Sequence, residues 1–406
     1  MGRPIFQARC SDRGWLFLPS ATCPEPCFQL SAFQLFPVLC ILNQMPSLKE
    51  LLKSIAEEQR TLTRAEARAA LSEILTGEAG DIEIAGLLTA FATRGETADE
   101  LTGFAEAMRA LALPVPLTED ERASLIDTCG TGGDGRGTFN ISTGAALVAT
   151  AAGAKVAKHG NRGVTSKCGS ADVLEAMGVP VALTPEESAA CLRATGFTFL
   201  YAPALQPAMK RVQPIRRALG FRTIFNLAGP LTNPAGATAQ VMGIFSGSRL
   251  MLVANAMARL GVRHAFVVHG SDGLDELTLT GESSVAEVQG AGLRAQGAEA
   301  RVQSAEATVR LFQLAPEEAE LPRATLAELA GAETAAENAA ILEGIFNGEP
   351  GPRRDIVLLN AAAALMAGGI AEDLRDGVDR GAEAIDSGAV FKTVAALRTF
   401  AADLRL

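Results

Sequence analysis

A glycine-rich segment at residues 127–144, DTCGTGGDGRGTFNISTG, constrains the fold of this chain more than any other feature. Its six glycines lie between a short apolar stretch that starts at Leu125 and an alanine-rich stretch after Ser142. Glycine lets backbone N–H groups converge on phosphate oxygens, and Asn140, Ser142 and Thr143 lie where a helix N-terminus would add its positive dipole. The spacing matches neither the P-loop nor the dinucleotide-binding pattern. A turn that serves only packing is the alternative, but a glycine run that ends at a helix start favours an anion-binding loop.

From Leu125 onward, short apolar strands alternate with alanine-rich helices. Strands are predicted into Thr128 and at Val156, with helices after Ser142 and Ser170. Three further strands are predicted at 197–201, 241–245 and 265–268. This alternation indicates an α/β domain with a mostly parallel central sheet that helices cover.

The part of the chain before this alternation is predicted to be helical. Three capping boxes mark helix starts, each pairing a serine or threonine with a glutamate three residues later: Ser47 with Glu50, Thr63 with Glu66, and Thr97 with Glu100. Two prolines, Pro114 and Pro116, place a hinge after these helices. We therefore predict a small N-terminal helical domain at 45–115, joined by helices from 204–220, and a large α/β domain at 120–203 and 221–406.

Residues 1–44 differ in kind from the rest of the chain. They contain Cys10, Cys23, Cys27 and Cys40, and residues 26–48 carry no charge. The apolar part is interrupted by glutamines and by Pro37, so it makes a poor membrane span, and it has no signal-peptide cleavage pattern. Cys23 and Cys27 have no second ligand pair nearby to close a zinc site. We expect the native protein to begin at Met45 and this extension to lie outside the fold, without an assigned function.

Charge and cysteine content limit the classes of partner. The formal net charge of −10 gives no general attraction to nucleic acid or to anionic lipid, so any polyanionic substrate must be held locally. The seven cysteines show no disulfide or zinc framework. We therefore predict a cytoplasmic protein that does not bind nucleic acid or membrane.

Four ordered motifs identify a family. The segment 127–144 is followed by KHGNRGVTSKCGSADVLEAMG at 158–178, RRALGFRTIFNLAGPLTNPA at 216–235 and HGSDGLDE at 269–276. Together they resemble anthranilate phosphoribosyltransferases over residues 46–406. Gly163, Thr165 and Cys168 depart from the pattern, in which serine, or alanine at the first position, is usual.

The resemblance implies the fold predicted above and the transfer of a 5-phosphoribosyl group from phosphoribosyl pyrophosphate to anthranilate in tryptophan biosynthesis. It also implies a homodimer that forms through the helical domain. By the resemblance, the α/β domain binds phosphoribosyl pyrophosphate through these residues: Gly130, Gly133, Asp134, Thr138, Asn140, Ile141, Ser142, Thr143, Lys158, Ser166 and Ser170. We expect Lys158 to supply a mobile cation for a phosphate oxygen; the alternative is a lysine that caps a strand end in water.

The resemblance assigns anthranilate to Gly130, Asn161 and Arg216. The planar guanidinium of Arg216 suits a carboxylate, although Arg217 beside it leaves the assignment open, and a surface ion pair is the alternative role. Asn161 could instead be only a turn residue that tolerates a left-handed backbone.

Asp275 and Glu276 are adjacent acids in a glycine-containing loop, which can present two carboxylates to Mg²⁺. The resemblance adds Ser142 as a ligand and implies two ions per site. We assign no general acid or base, and we expect His159, His264 and His269 to be structural. Two rivals remain: a pyrimidine nucleoside phosphorylase of the same architecture, and a non-catalytic relative that binds nucleic acid, which the sequence pI near 5.1 disfavours.

Overall fold

A computed structural model describes residues 45–163, 167–291 and 307–404 of the chain. The extension at 1–44 and two site positions, Thr165 and Ser166, lie outside the described residues, so the expectations for them are not tested. Within the described part, no helix is both long and apolar enough to cross a membrane.

The centre of the fold is a seven-stranded sheet with the order β3-β2-β1-β4-β5-β6-β7. The first five strands in this order are parallel, and β6 and β7 continue the sheet as antiparallel strands beside β5. The mostly parallel sheet is therefore confirmed, while β6 and β7 had not been predicted. The strands are β1 (Leu125–Asp127), β2 (Lys155–Gly160), β3 (Phe197–Tyr201), β4 (Ala239–Gly243), β5 (His264–Gly270), β6 (Ser283–Gln289) and β7 (Thr308–Leu314).

Strand β4 corrects one prediction. It was expected at 241–245 but begins and ends two residues earlier. The strand ends at Gly243 because the next part of the chain turns towards the glycine-rich segment: the Gly243 carbonyl accepts a hydrogen bond from the Thr131 N–H at 2.9 Å.

Three of the four N-terminal helices begin at the predicted caps; the third helix, which starts after Gly80, was not predicted. They are α1 (Leu48–Glu58), α2 (Arg64–Thr76), α3 (Asp81–Arg94) and α4 (Ala98–Leu111), and all three predicted capping boxes are present. Helices α2 and α4 approach so closely that a Cβ added at Gly103 would lie 2.3 Å from the Arg64 carbonyl. The Glu100 carboxylate is fully buried and accepts hydrogen bonds from the Leu62 and Thr97 N–H groups, at 2.7 and 2.8 Å.

The remaining helices cover the sheet and extend the bundle. They are α5 (Glu119–Ala123), α6 (Ile141–Ala151), α7 (Ser170–Ala176), α8 (Pro185–Thr195), α9 (Ala202–Leu205), α10 (Gln213–Leu219), α11 (Ile224–Ala228), α12 (Leu250–Arg259), α13 (Ala335–Phe346), α14 (Pro352–Gly368), α15 (Leu374–Asp386) and α16 (Ala389–Asp403). Arg211, between α9 and α10, contacts the bundle: it donates to Asp81 Oδ1 at 2.6 Å and to the Ala79 carbonyl at 2.8 Å.

Alternating side chains give the sheet two apolar faces. On β4 and β5, Val241 and Val268 join the core formed with α6 and α14. Met242 and Val267 join the opposite core, which continues through α12 into the helical bundle. The hinge segment between bundle and sheet is anchored, because Val115 is buried and its N–H donates to the Pro234 carbonyl at 3.2 Å.

Candidate active site

The motifs meet at the carboxyl ends of parallel strands. The glycine-rich segment follows β1, the HGNR motif (residues 159–162) covers the last two residues of β2 and the turn after it, and the segment with Asp275 and Glu276 follows β5. In open α/β sheets this edge is where ligands bind. The fold therefore brings together residues that are distant in the chain, such as Gly132 and Asp275, which are 143 positions apart.

The glycine-rich segment forms a partly exposed loop that is hydrogen-bonded to the end of β4. Four of its glycines have positive φ: Gly132, Gly133, Gly135 and Gly137, at 63°, 74°, 71° and 71°. Residues other than glycine rarely adopt this backbone conformation, so the loop requires glycine at these four positions. Thr131 fixes the loop to the end of β4, because its hydroxyl also accepts a hydrogen bond from the Phe245 N–H at 3.0 Å.

The two acids contact this loop directly. Asp275 Oδ2 accepts from the Gly132 N–H at 2.7 Å, and Glu276 Oε1 accepts from the Ser142 N–H at 3.2 Å in the first turn of α6. Backbone packs against backbone here, since a Cβ added at Gly243 would lie 1.5 Å from the Asp275 carbonyl oxygen. The loop, the helix N-terminus and the acids thus form one contiguous corner of the site.

Supporting residues hold the acidic segment on its other side. Asn360 of α14 donates to the Leu277 carbonyl at 2.9 Å and accepts from the Leu277 N–H at 3.0 Å. The Thr278 and Thr280 hydroxyls each donate to Asp272 Oδ2 at 2.7 Å. Sequence reasoning missed these residues; Asp272 within HGSDGLDE was the available signal.

The electrostatics of this corner favour a cation. Burial, followed by repulsion from Asp134, raises the pKa of Asp275; burial, followed by repulsion from Asp275, raises the pKa of Glu276. Among residues 45–163, 167–291 and 307–404, no group of three or more His, Cys, Asp or Glu side chains forms a ready-made metal site. The donor set fits Mg²⁺, which is typically held by one or two carboxylates together with water and substrate phosphates.

Lys158 lies in the site but not as the mobile cation that was expected. Its side chain is only 1% exposed, and Nζ donates to the Thr128 carbonyl, the Thr128 hydroxyl and the Ser142 hydroxyl at 2.7, 3.1 and 3.3 Å. Burial lowers its pKa, opposed by neighbours that include Asp127 and Glu276. The difference arises because the side chain points into the sheet edge rather than into water.

A buried network beneath the loops was not predicted. Asp127 is fully buried and accepts from the His159 N–H at 3.1 Å and from Asn233 Nδ2 at 2.8 Å. Burial raises the pKa of Asp127 to about 6, while Asn233 and Lys158 oppose the rise. Asp127 and Asn233 both lie inside the recognised motifs, yet nothing in the sequence indicates that they touch.

The HGNR turn is closed by an acid of the following helix. Asp172 Oδ2 accepts from the N–H groups of Gly163 and Gly169 at 3.0 and 2.9 Å. Asn161 is exposed, and its Oδ1 accepts from the adjacent Arg162 N–H at 2.8 Å.

The same turn is joined to the start of α6. The carbonyl of Cys168 accepts from Asn140 Nδ2 at 3.1 Å. Ser170 is the first residue of α7. The chain after the HGNR motif and the glycine-rich loop are therefore connected through Asn140, one of the residues that the sequence assigns to the donor.

Arg216 lies on α10 and is half-buried over the ring of Phe225, 5.3 Å from its centroid. Burial lowers the pKa of its guanidinium, and no acid in the described part of the chain counters that shift. Arg217 is exposed. The segment that carries Arg216 reaches the glycine-rich loop through Arg222, which stacks on Phe245 at 4.3 Å and donates to the Gly133 carbonyl.

The histidines of the motifs are held in structural positions. His159 is buried, and burial, with repulsion from Lys158, lowers its pKa to about 4. His269 Nδ1 lies 2.8 Å from the Ile244 carbonyl. A neutral buried ring and a ring bonded to backbone are poor candidates for a proton acceptor at the exposed loop.

Comparisons with known proteins agree with this arrangement. Residues 49–112 match the helical bundle domain of a glycosyl transferase family, and residues 122–391 match its α/β domain. The anthranilate phosphoribosyltransferase of Solibacter usitatus is 50% identical over 351 residues, which cover 86% of this chain and 98% of the relative. That of Symbiobacterium thermophilum is 46% identical over 358 residues, covering 88% and 99%.

Solved structures show the same likeness. The anthranilate phosphoribosyltransferase of Thermus thermophilus superimposes with a TM-score of 0.75 at 40% identity, covering 87% of this chain and 98% of the other. A Saccharomyces cerevisiae anthranilate phosphoribosyltransferase, solved in complex with phosphoribosyl pyrophosphate and Mg, gives a TM-score of 0.75 at 25% identity, covering 88% and 98%.

Proposed function

This chain belongs to the anthranilate phosphoribosyltransferase family, and we propose that it transfers the 5-phosphoribosyl group from phosphoribosyl pyrophosphate to anthranilate. The products are N-(5-phosphoribosyl)anthranilate and pyrophosphate, and the step belongs to tryptophan biosynthesis. One observation carries the proposal: an anion-binding glycine loop and a cation-binding acid pair share one corner, joined by the Gly132–Asp275 and Ser142–Glu276 hydrogen bonds.

The glycine loop and the start of α6 are proposed to hold the phosphoribosyl donor. The open N–H groups of a glycine-rich loop and of a helix N-terminus attract phosphate oxygens. Lys158 contributes positive charge from below the loop and, through Ser142, fixes the first turn of α6. The proposed binding residues are Gly130, Gly133, Asp134, Thr138, Asn140, Ile141, Ser142, Thr143, Lys158, Ser166 and Ser170.

Asp275 and Glu276, with Ser142, are proposed to hold Mg²⁺, two ions per site. Their raised pKa values support this, because a cation would offset the repulsion among the half-buried carboxylates. When bound, magnesium would neutralise charge on the pyrophosphate and so favour its departure.

Anthranilate is proposed to lie between the HGNR turn and α10. Arg216 binds its carboxylate, because the half-buried guanidinium presents a planar set of donors. Within the described residues, no acid offsets the desolvation of this guanidinium, so a substrate carboxylate would do so. Asn161 and Gly130 complete this side of the site. The exposed Arg217 is the weaker candidate.

The chemistry needs positioning more than proton transfer. The C1–O bond to pyrophosphate breaks through an oxocarbenium-like transition state, a C1–N bond forms with the amine, and the amine then releases one proton to water. The residues described above hold the two substrates in line and stabilise the leaving anion. No protein base is assigned, in keeping with the depressed pKa of His159.

The proposed domain limits are 45–115 with 204–220 for the bundle, and 120–203 with 221–406 for the α/β domain. A homodimer is proposed to form through the bundle. A groove of about 640 Å³ lies between α1 and α3, and its lining includes Leu52, Ala56 and Ile82. Ile82 is 88% exposed, and an apolar groove beside such a side chain is typical of a protein interface.

We also propose a cytoplasmic location. It suits the thiols Cys129 and Cys191, which are both buried and free. Proteins of a reducing compartment keep such thiols unpaired.

The test is product identification by mass spectrometry after incubation with phosphoribosyl pyrophosphate, anthranilate and Mg²⁺. We expect N-(5-phosphoribosyl)anthranilate together with an equal amount of pyrophosphate. A parallel incubation contains thymidine or uridine with inorganic phosphate. Cleavage of these nucleosides without reaction of anthranilate would replace the proposal with a pyrimidine nucleoside phosphorylase.

A further inference from the structure

The buried carboxylate of Asp127 lies at the start of the proposed donor loop and beside the strand end that leads into the HGNR turn. Asp127 is the last residue of β1, immediately before the glycine-rich loop. Its Oδ1 accepts from the backbone N–H of His159, and its Oδ2 accepts from the side chain of Asn233. The two oxygens therefore join the segment of Asp127 to two others, which lie 32 and 106 residues away along the chain.

Two of these three segments lead into the proposed site, on different sides of it. His159 is the first residue of the HGNR motif and is followed two positions later by Asn161. Asn233 lies in the GPLTNP segment, three residues after Pro230. Asp127 itself leads into the loop for the phosphoribosyl donor. A displacement at Asp127 would therefore change the position of the anthranilate side relative to the donor side.

The hydrogen bonds around Asp127 require a side chain that accepts hydrogen bonds and has no donor group of its own. Asn233 has a fixed orientation, because its Oδ1 accepts from the Ala235 N–H at 2.9 Å while its Nδ2 donates to the Ala157 carbonyl at 2.8 Å. Both groups that face Asp127 are thus N–H donors. An ionised carboxylate is acceptor-only and satisfies both, whereas an amide of the same shape would turn one N–H towards another.

We propose that Asp127 is a positioning residue that holds the HGNR turn and the GPLTNP segment in register with the donor loop. The residue acts through His159 and Asn233 and touches neither substrate. The proposal rests on the proposed function for its kinetic consequences. Its structural consequence, the coupling of three segments through one carboxylate, does not depend on turnover.

The first variant is Asp127→Asn, which keeps the shape and removes one acceptor. We expect kcat/KM for anthranilate to fall about 10- to 100-fold, the range for loss of a residue that orients groups in a site. The KM for phosphoribosyl pyrophosphate should change by less than about threefold, because Gly243, Phe245 and Asp275 still hold the donor loop. Steady-state kinetics with each substrate varied in turn measures this difference.

Glu100→Gln is the matched control. Glu100 is also a fully buried carboxylate that accepts from backbone N–H groups, but it is ion-paired with Arg94 and lies within the bundle. We expect this variant to lower the melting temperature as Asp127→Asn does, with both KM values unchanged. Equal kinetic effects of the two substitutions would mean that Asp127 acts only on stability, and would overturn the proposal.

A double-variant cycle tests the contact with Asn233. Asn233→Asp alone places two carboxylates against each other, whereas Asp127→Asn with Asn233→Asp restores a donor–acceptor pair. We expect the double variant to be more active than the product of the two single effects, although it loses the bond to the Ala157 carbonyl. Purely multiplicative effects on kcat/KM would contradict a direct role for this contact.

Amide hydrogen exchange separates this proposal from the proposed function. In Asp127→Asn we expect faster exchange in both 157–161 and 233–236, and in Glu100→Gln in neither. If the wild-type protein did not consume anthranilate, the proposed function would fail while this exchange pattern could still appear. Unchanged exchange in both segments would overturn the positioning role whatever the activity.

Discussion

At the scale of single residues, Arg216 combines a fixed charge with partial burial. Its guanidinium stacks on Phe225, and no acid in the described part of the chain counters its desolvation. A charged hydrogen bond to a substrate carboxylate is worth about 1.5–3 kcal/mol. We expect Arg216→Lys to raise the KM for anthranilate about 10- to 100-fold, since lysine cannot reproduce the planar pair of donors. Initial rates at saturating phosphoribosyl pyrophosphate measure this KM.

Arg217→Lys is the control for this substitution, because it makes the same chemical change on the exposed neighbour. It should leave both KM values unchanged. A selective rise in the KM for anthranilate in Arg217→Lys, with none in Arg216→Lys, would reverse the assignment of the two arginines.

The acid pair predicts a dependence of stability on pH. In the metal-free protein the pKa values of Asp275 and Glu276 are raised above those of the unfolded chain, which are about 4. The folded state therefore binds protons more tightly, so this contribution is fully present below about pH 4 and is lost as pH rises through neutrality. With EDTA we expect the melting temperature to be at least about 2 °C lower at pH 8.5 than at pH 6. With Mg²⁺ we expect a smaller difference between the two pH values.

Asp275→Asn with Glu276→Gln isolates this effect from other titrating groups. The double variant should lose most of the difference between the two pH values in EDTA, measured by differential scanning calorimetry. An unchanged difference would mean that other groups cause it.

At the scale of elements, the end of β4 determines where the acidic segment lies. Gly243 leaves no room for a side chain, since an added Cβ would lie 1.5 Å from the Asp275 carbonyl oxygen. We expect Gly243→Ala to displace the segment and to lower the apparent affinity for Mg²⁺ by about tenfold or more. A magnesium titration of activity measures this. Wild-type affinity in a folded Gly243→Ala protein would show that the contact does not position the acids.

Local signals in the sequence were enough to predict five of the seven strands of the described sheet and several helices, but none of the four helices between 335 and 403. The capping boxes at Ser47, Thr63 and Thr97 are local hydrogen-bond patterns, so they marked the starts of α1, α2 and α4 correctly. Strand β7 was missed because its burial pattern is irregular, and Leu311 even faces solvent. An edge strand with little buried surface carries a weak periodic signal.

At the scale of the whole molecule, the site depends on contacts that no local pattern contains. The bond between Asp127 and Asn233 spans 106 residues, and that between Gly132 and Asp275 spans 143. The motifs identified both ends of these contacts, and the resemblance supplied a role for the acids and the glycine loop. The burial of Lys158 could not be predicted from the sequence, because it depends on how the ends of β1 and β2 pack against the start of α6.

The proposed homodimer gives a prediction at the same scale. We expect Ile82→Glu to produce monomers in sedimentation velocity experiments, because it places a charge beside the apolar groove of the bundle. Leu311→Glu is the control, since Leu311 is 54% exposed on β7, outside the groove. If Ile82→Glu remained dimeric, or if Leu311→Glu alone dissociated, the interface would lie elsewhere.

The central claim is that the glycine loop and the acid pair form one magnesium-dependent phosphoribosyl transfer site. The most direct test follows the loss of anthranilate fluorescence with phosphoribosyl pyrophosphate across a range of Mg²⁺ concentrations. It compares the wild-type protein with Asp275→Asn, Glu276→Gln and with Glu119→Gln, Asp120→Asn, a pair of adjacent exposed acids on α5. We predict magnesium-dependent consumption by the wild type and the α5 variant, and its collapse in the first variant. Equal rates in all three proteins, or no consumption by folded wild-type protein, would contradict the claim.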